Sequence, residues 1–146
     1  MAGTAGKAGK AGRFSFTIDA EIRCIPVVAE ALEDYLTSIG TDPLFLPDIQ
    51  LATEEAITNI IGHGYAGKPG TIGVTCVVGG GVVRLEIRDQ APAFNPLTIN
   101  DPDLSADLAD KAVTGMGIYL IRKVMDAVSY EFSDGENVLR MEKKIG

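Results

Sequence analysis

The chain has 146 residues, 46% of them apolar, a formal net charge of -7 and a single histidine. That length suits one domain with a sizeable core, while the acidity argues against direct binding of nucleic acid, which is gripped through its phosphates. One histidine excludes a multi-histidine metal centre and any Ser-His-Asp site that does not use His63.

No run approaches the ~20 apolar residues that span a bilayer, and the N-terminus lacks the apolar segment of a secretory signal. A cytoplasmic location without membrane contact is expected. Cys24 and Cys76 match no metal-ligand spacing and read as reduced core residues.

Residues 1–12, MAGTAGKAGKAG, are low-complexity and predict a disordered tail before a domain over 13–146. Phe14, Phe16 and Ile18 alternate as in a strand. In IPVVAEALEDYLTSIG, Pro26 suits a first helical turn. Ile25, Val28, Ala29, Leu32, Leu36 and Ile39 recur at helical spacing, and Gly40 ends the helix. A second helix is expected from about Pro47 to Gly62 or His63. GTIGVTCVV and VVRLEIRD flank Gly79, Gly80 and Gly81, which predicts a hairpin. With no helix following, the glycine triplet reads as a turn and not a phosphate loop.

Residues 90–114 lack periodicity and contain three prolines, Pro92, Pro96 and Pro102, the mark of a functional connection such as a lid. GMGIYLIRKVMDAV reads as a helix opened by two glycines, with Ile118, Ile121, Met125 and Val128 toward the core and Arg122 and Lys123 in solvent. VSYEF, the turn SDGEN and VLRMEKK close the chain as a hairpin. The order of elements predicts an α+β sandwich, one mostly antiparallel sheet with helices on one face.

Three stretches carry candidate chemistry. In EEAITNIIGHGY, residues 54–65, Glu55 and Asn59 stand four apart and share a helix face. Gln50, Glu54 and Thr58 form the solvated stripe beside them, so the pair lies at the edge of the apolar face, where a pocket can form. A carboxylate there can orient or deprotonate a hydroxyl, and an amide oxygen is a hard ligand of the kind Mg²⁺ prefers. On spacing alone, two surface residues on a helix flank remain the simpler reading, and His63 reads as a capping or packing residue. In RDQAPAFNP, residues 88–96, Asp89 ends a strand at a turn, where it can accept a bond from a ligand amino group or serve the turn itself. In TGMGIYLIRKVMD, residues 114–126, Gly115 and Gly117 bare the start of a helix whose free N–H groups can face an anion. In this order, with a long segment between the last two, they are the parts of a Mg-nucleotide site.

EEAITNIIGHGY, the Asp89 turn and GMGIYLIRKVMDAV closely resemble the GHKL ATP-binding superfamily of gyrase, the heat-shock chaperone and histidine kinases. The best match within it is the anti-sigma-factor serine-protein kinase family of bacterial partner switching, over about residues 13–145. The resemblance implies a Bergerat-type two-layer sandwich with ATP between the helices and a lid. It implies Glu55 as catalytic base, Asn59 as Mg²⁺ ligand and Asp89 as reader of the adenine amino group. It further implies nucleotide contacts from the turn at Ala91 and Ala93 and from Thr114, Gly115, Met116, Gly117 and Ile118. The implied partners are a STAS-type anti-anti-sigma protein carrying the target serine, an RNA polymerase sigma factor, and a second copy of the chain. Two places depart from the family pattern. The Asp-x-Gly-x-Gly turn reads Asp89-Gln90-Ala91-Pro92-Ala93, and alanine does not take positive φ cheaply. Gly-Thr before the last strand reads Gly135-Glu136-Asn137, which removes an expected hydroxyl.

Overall fold

The computed structural model describes residues 3–4, 13–98 and 116–146. Six strands form one antiparallel sheet: β1 (Gly3–Thr4), β2 (Arg13–Asp19), β3 (Thr71–Gly79), β4 (Val82–Asp89), β5 (Ala127–Ser133) and β6 (Glu136–Lys144), in the order β1-β2-β3-β4-β6-β5. Of the expected tail, residues 3–4 pair with β2 as a two-residue edge strand, and the rest lies outside the described residues.

The register sets the inner face of the sheet in three rows. Phe14, Cys76, Leu85, Met141 and Val128 form the first, and Phe16, Val74, Ile87, Leu139 and Tyr130 the second. Ile18, Ile72, Asp89, Asn137 and Phe132 form the third. The first two rows are mostly buried and pack under the helices, because successive side chains of a strand alternate faces. In the third row two polar residues stand side by side where a core would have apolar ones. The opposite face is polar, with Arg140 bonded to Glu86 and Glu131 at 3.0 and 2.7 Å and Arg88 to Glu86 at 2.6 Å.

Helix α1 (Ile25–Ser38) buries Ile25, Val28, Leu32, Tyr35 and Leu36 against this sheet. Tyr35 takes a core place expected of Ile39, which falls just past the helix end and is 37% exposed. Gly40 has φ +83°, and Thr41 N–H donates to Leu36 O while Gly40 N–H donates to Thr37 O. Those two bonds are a Schellman ending and satisfy carbonyls of the last turn.

Helix α2 (Leu46–Asn59) runs between α1 and α3 (Met116–Val124) and buries Ile49, Ala52, Thr53, Ala56 and Ile57. It does not simply stop near His63: residues Ile60–Gly64 continue as one π turn, closed by Tyr65 N–H on Ile60 O at 2.8 Å. The expected solvated stripe is only partly so. Gln50 and Glu54 are half-buried, and Gln50 Nε2 donates to Ala29 O at 2.7 Å, joining α2 to α1.

Helix α3 is shorter than its periodicity suggests, ending at Val124, so Val128 belongs to β5 and only Met125 follows the helix into the core. Lys143 Nζ donates to Val124 O at 2.7 Å and pairs with Asp48 at 3.0 Å. A cation at a helix C-terminus satisfies its last carbonyls and suits its dipole. The glycine triplet is a hairpin turn: Gly79 pairs with Val82, and Gly80 and Gly81 have φ +60° and +75°. Both cysteines are buried and neither forms a disulfide, and burial pushes the Cys76 thiol up to about 12. No described helix is long and apolar enough to cross a membrane.

Candidate functional site

Between the end of α2 and the third row of the sheet lies a cavity that opens to solvent. Helix α2 and its π turn contribute Ala56, Asn59, Ile60 and Gly64. The turn after β4 contributes Phe94 and Pro96, and the sheet floor Asp89, Asn137, Leu139 and Tyr130. The walls are thus mostly apolar, with polar groups at a few fixed points, the usual make-up of a small-molecule site. The π turn adds one residue to the circumference and swings Ile60 and Gly64 onto the wall; such turns recur at functional sites.

Asn59 lies on this wall, and Glu55 stands one helical turn before it. Opposite them is the start of α3. A Cβ built on Gly117 would come within 3.2 Å of Glu55 Oε1 and 3.5 Å of Asn59 Oδ1 and Nδ2. Glycine therefore lets the helix start approach both side chains. Burial, and next the charge of Glu54, push the Glu55 carboxyl above its ordinary range. Ile118 is 1% exposed, so its side chain belongs to the core and offers only backbone. Thr114, Gly115 and most of the expected lid lie outside the described residues.

Asp89 is buried, and burial is the main cause that pushes its carboxyl above the usual range; bonds from Asn137 and from Ala91 N–H oppose this. Both bonds, each 2.9 Å, fall on Oδ1. Among the described residues none falls on Oδ2. The expected strain of the alanine turn is absent, since neither Ala91 nor Ala93 has positive φ. Ala91 is 3% exposed and Ala93 is exposed, so only the first is packed into the site.

Several site residues were not picked out in the sequence. Asn137 was noted only as a departure, yet its side chain bonds Asp89, the Ala91 and Pro92 carbonyls, Phe94 N–H and the Tyr130 hydroxyl. The Tyr130 hydroxyl that donates to Asn137 comes from the neighbouring strand, and Tyr130 lines the cavity. The signal was available: Asn137, Leu139 and Met141 alternate, so an amide occupies an inward position. Tyr65 OH donates to Thr71 O at 2.7 Å and accepts from Gln90 N–H at 2.9 Å, tying the π turn to the ends of β3 and β4. Its ring lies on Gly70, where any Cβ would collide with it. His63 is exposed and stacks on Phe94 at 6.2 Å between ring centroids, a packing role at the cavity rim. Arg122 is exposed, as expected, and from there donates to Leu97 O at 2.8 Å.

Comparisons with known proteins agree with this fold. The family model described as "Histidine kinase-like ATPase domain" matches residues 18–143. An anti-sigma F factor of Thermoanaerobacter is 30% identical over 69% of this chain and 71% of that protein. The serine/threonine-protein kinase BtrW of Bordetella bronchiseptica is 34% identical over 64% of this chain and 66% of that protein. The crystal structure of the RsbU and RsbW domains of a Mycobacterium tuberculosis protein superposes with a TM-score of 0.66 at 21% identity, over 91% of this chain and 32% of that one. The last is a likeness of fold. With an antiparallel sheet, three helices among the described residues and a cavity at the end of α2, the chain belongs to the histidine kinase-like ATPase (GHKL) family and resembles, within it, the bacterial anti-sigma-factor serine-protein kinases.

Proposed function

We propose that the chain is an anti-sigma serine/threonine-protein kinase that binds Mg-ATP, phosphorylates a serine of a STAS-type anti-anti-sigma partner, and holds a sigma factor in its other assembly. The observation that carries this reading is the approach of Gly117 to Glu55 and Asn59 beside a cavity that Asp89 also lines.

The residues present fit the nucleotide. The cavity's lining, mostly apolar with a few fixed polar groups, is of the kind that takes a small ligand. Ala56, Ile60 and Leu139 suit the faces of a base, and Asp89 Oδ2 suits its amino group. Gly117 lets the start of α3 approach Glu55 and Asn59, and the free N–H groups and dipole of that helix start favour an anion. The described residues hold no cluster of three or more His, Cys, Asp or Glu. A lone Asn59 oxygen therefore fits Mg²⁺ that is held chiefly by phosphates and water. When bound, the ion neutralises phosphate charge.

Glu55 then orients the substrate serine and accepts its proton. The raised affinity of its carboxylate for a proton makes it a stronger base, provided it is ionised at the working pH. Asn59 positions the metal-bound phosphates, and Asp89 the base. The same reading places the protein in the cytoplasm as a homodimer.

Incubating this chain and radiolabelled ATP with a STAS-type anti-anti-sigma protein of the same organism tests the proposal. Label on that protein, lost in Glu55→Ala, supports it. ATP binding without label would replace it with the second reading, a nucleotide-binding module that sequesters its partner without catalysis. That reading drew on the altered turn, and the turn carries no positive-φ alanine.

A further inference from the structure

We infer that Asn137 is the positioning residue that aims Asp89 at the nucleobase and holds the Asp89–Phe94 turn in shape; this rests on the nucleotide reading above. Asn137 is 5% exposed and lies directly across the β4–β6 ladder from Asp89. Its Nδ2 donates to Asp89 Oδ1 at 2.9 Å, Ala91 O at 3.0 Å and Pro92 O at 3.2 Å. Its Oδ1 accepts from Phe94 N–H at 3.0 Å and from the Tyr130 hydroxyl.

A side-chain amide has two N–H donors and two acceptor lone pairs. Two donors use the lone pairs and three acceptors share the two N–H groups, so Asn137 has nothing to offer a ligand and acts through what it holds. One consequence falls on Asp89. With Ala91 N–H and Asn137 both on Oδ1, the carboxylate cannot rotate freely, and Oδ2 is the oxygen left for a ligand. Another falls on Tyr130, which spends its proton on Asn137 and so turns only lone pairs toward the cavity it lines. The polar end of the cavity thus presents acceptors. A base with an exocyclic amine finds partners there, whereas an oxo group in the same place meets like charge.

The two departures from the family pattern become one linked change. A turn with glycines and a threonine uses backbone freedom and a single hydroxyl. Here the turn has alanines at ordinary φ, and an amide long enough to reach two carbonyls and an N–H holds it. A threonine hydroxyl has one proton and cannot satisfy Asp89, Ala91 and Pro92 together.

The test compares ATP with ITP, which carries an oxo group where ATP has the amine. Affinities are measured by calorimetry for the unaltered chain, Asn137→Ala, Asn137→Thr and Tyr130→Phe, with amide hydrogen exchange at Ala91 and Phe94. A site built to bond a ligand group loses selectivity when that bonding is disturbed. Asn137→Ala should weaken ATP by about tenfold or more and ITP by no more than about twofold. Exchange protection at Phe94 should fall, and transfer at saturating ATP should persist, so that KM rises more than kcat. Tyr130→Phe, which removes one bond of the five, should move selectivity the same way by less, and serves if Asn137→Ala does not fold. Equal loss of both nucleotides in a folded variant, or unchanged selectivity, overturns the inference alone. Absence of ATP binding by the unaltered chain overturns the kinase reading and this inference with it.

Discussion

Gly117 lies directly against the Glu55 carboxylate: a Cβ at this glycine would stand 3.2 Å from Glu55 Oε1. Contacts that close force the neighbour to shift by a few tenths of an ångström. Gly117 is helical without positive φ, so alanine suits its backbone and gains up to about 1 kcal/mol of helix propensity. Gly117→Ala should therefore melt at or above the temperature of the unaltered chain while losing about tenfold or more of its phosphoryl transfer, because small misplacements of reacting groups are costly. A melting curve and a transfer assay on the same preparation check both halves.

Glu55→Gln separates chemistry from binding. Loss of a general base costs about 100-fold or more in rate, and nucleotide affinity should change little. Stability gives a second readout. The Glu55 carboxyl is held above its ordinary value of 4.5 by burial and by Glu54, so its charged form is penalised in the fold. That penalty is absent below 4.5, grows as pH rises through the folded value, and is constant above it. Glu55→Gln should melt higher than the unaltered chain at pH 7 and equal it near about pH 4. A melting difference that grows on acidification would contradict the burial argument.

Tyr65→Phe removes the hydroxyl that bridges Thr71 O and Gln90 N–H. Tyr65 is 9% exposed, but Thr71 and Gln90 are exposed and can turn to water when the hydroxyl is lost. The expected cost is about 0.5–1.5 kcal/mol in urea unfolding. Because Gln90 adjoins Asp89, ATP affinity should fall as well.

Lys143→Met tests the anchor of α3. Its ammonium bonds Val124 O and Asp48, and its side chain is 16% exposed. Loss of the bond to the helix end should cost about 1–3 kcal/mol. Asp48→Ala should cost less, about 1 kcal/mol at most, since that carboxylate is 41% exposed and screened. Denaturant midpoints of the two variants give the order directly.

Much of this protein is legible in its residues one stretch at a time. Alternation in Phe14–Ile18, helical spacing in Ile25–Leu36 and Leu46–Asn59, and the Asp134-Gly135 turn are local signals, because strand, helix and turn each impose a short period or a special φ. The four-residue spacing of Glu55 and Asn59 belongs to the same class, since one helix face brings them together whatever the rest of the chain does. Local spacing also overreached, extending α3 through Val128. Apolar residues at helical spacing satisfy a strand equally well when the ladder with β6 claims them.

What the chain could not declare locally are the meetings between distant residues. Asp89 and Asn137 are 48 positions apart and become neighbours only through the β4–β6 register. Gly117 meets Glu55 only because α2 and α3 pack side by side. Nor does a sequence say that this turn without glycines avoids positive φ, or that its Ala91 and Pro92 carbonyls are bonded by Asn137 of another strand. Periodicity is a property of short segments and can be read from them. A site built across segments depends on register and packing, which are decided when the chain closes on itself.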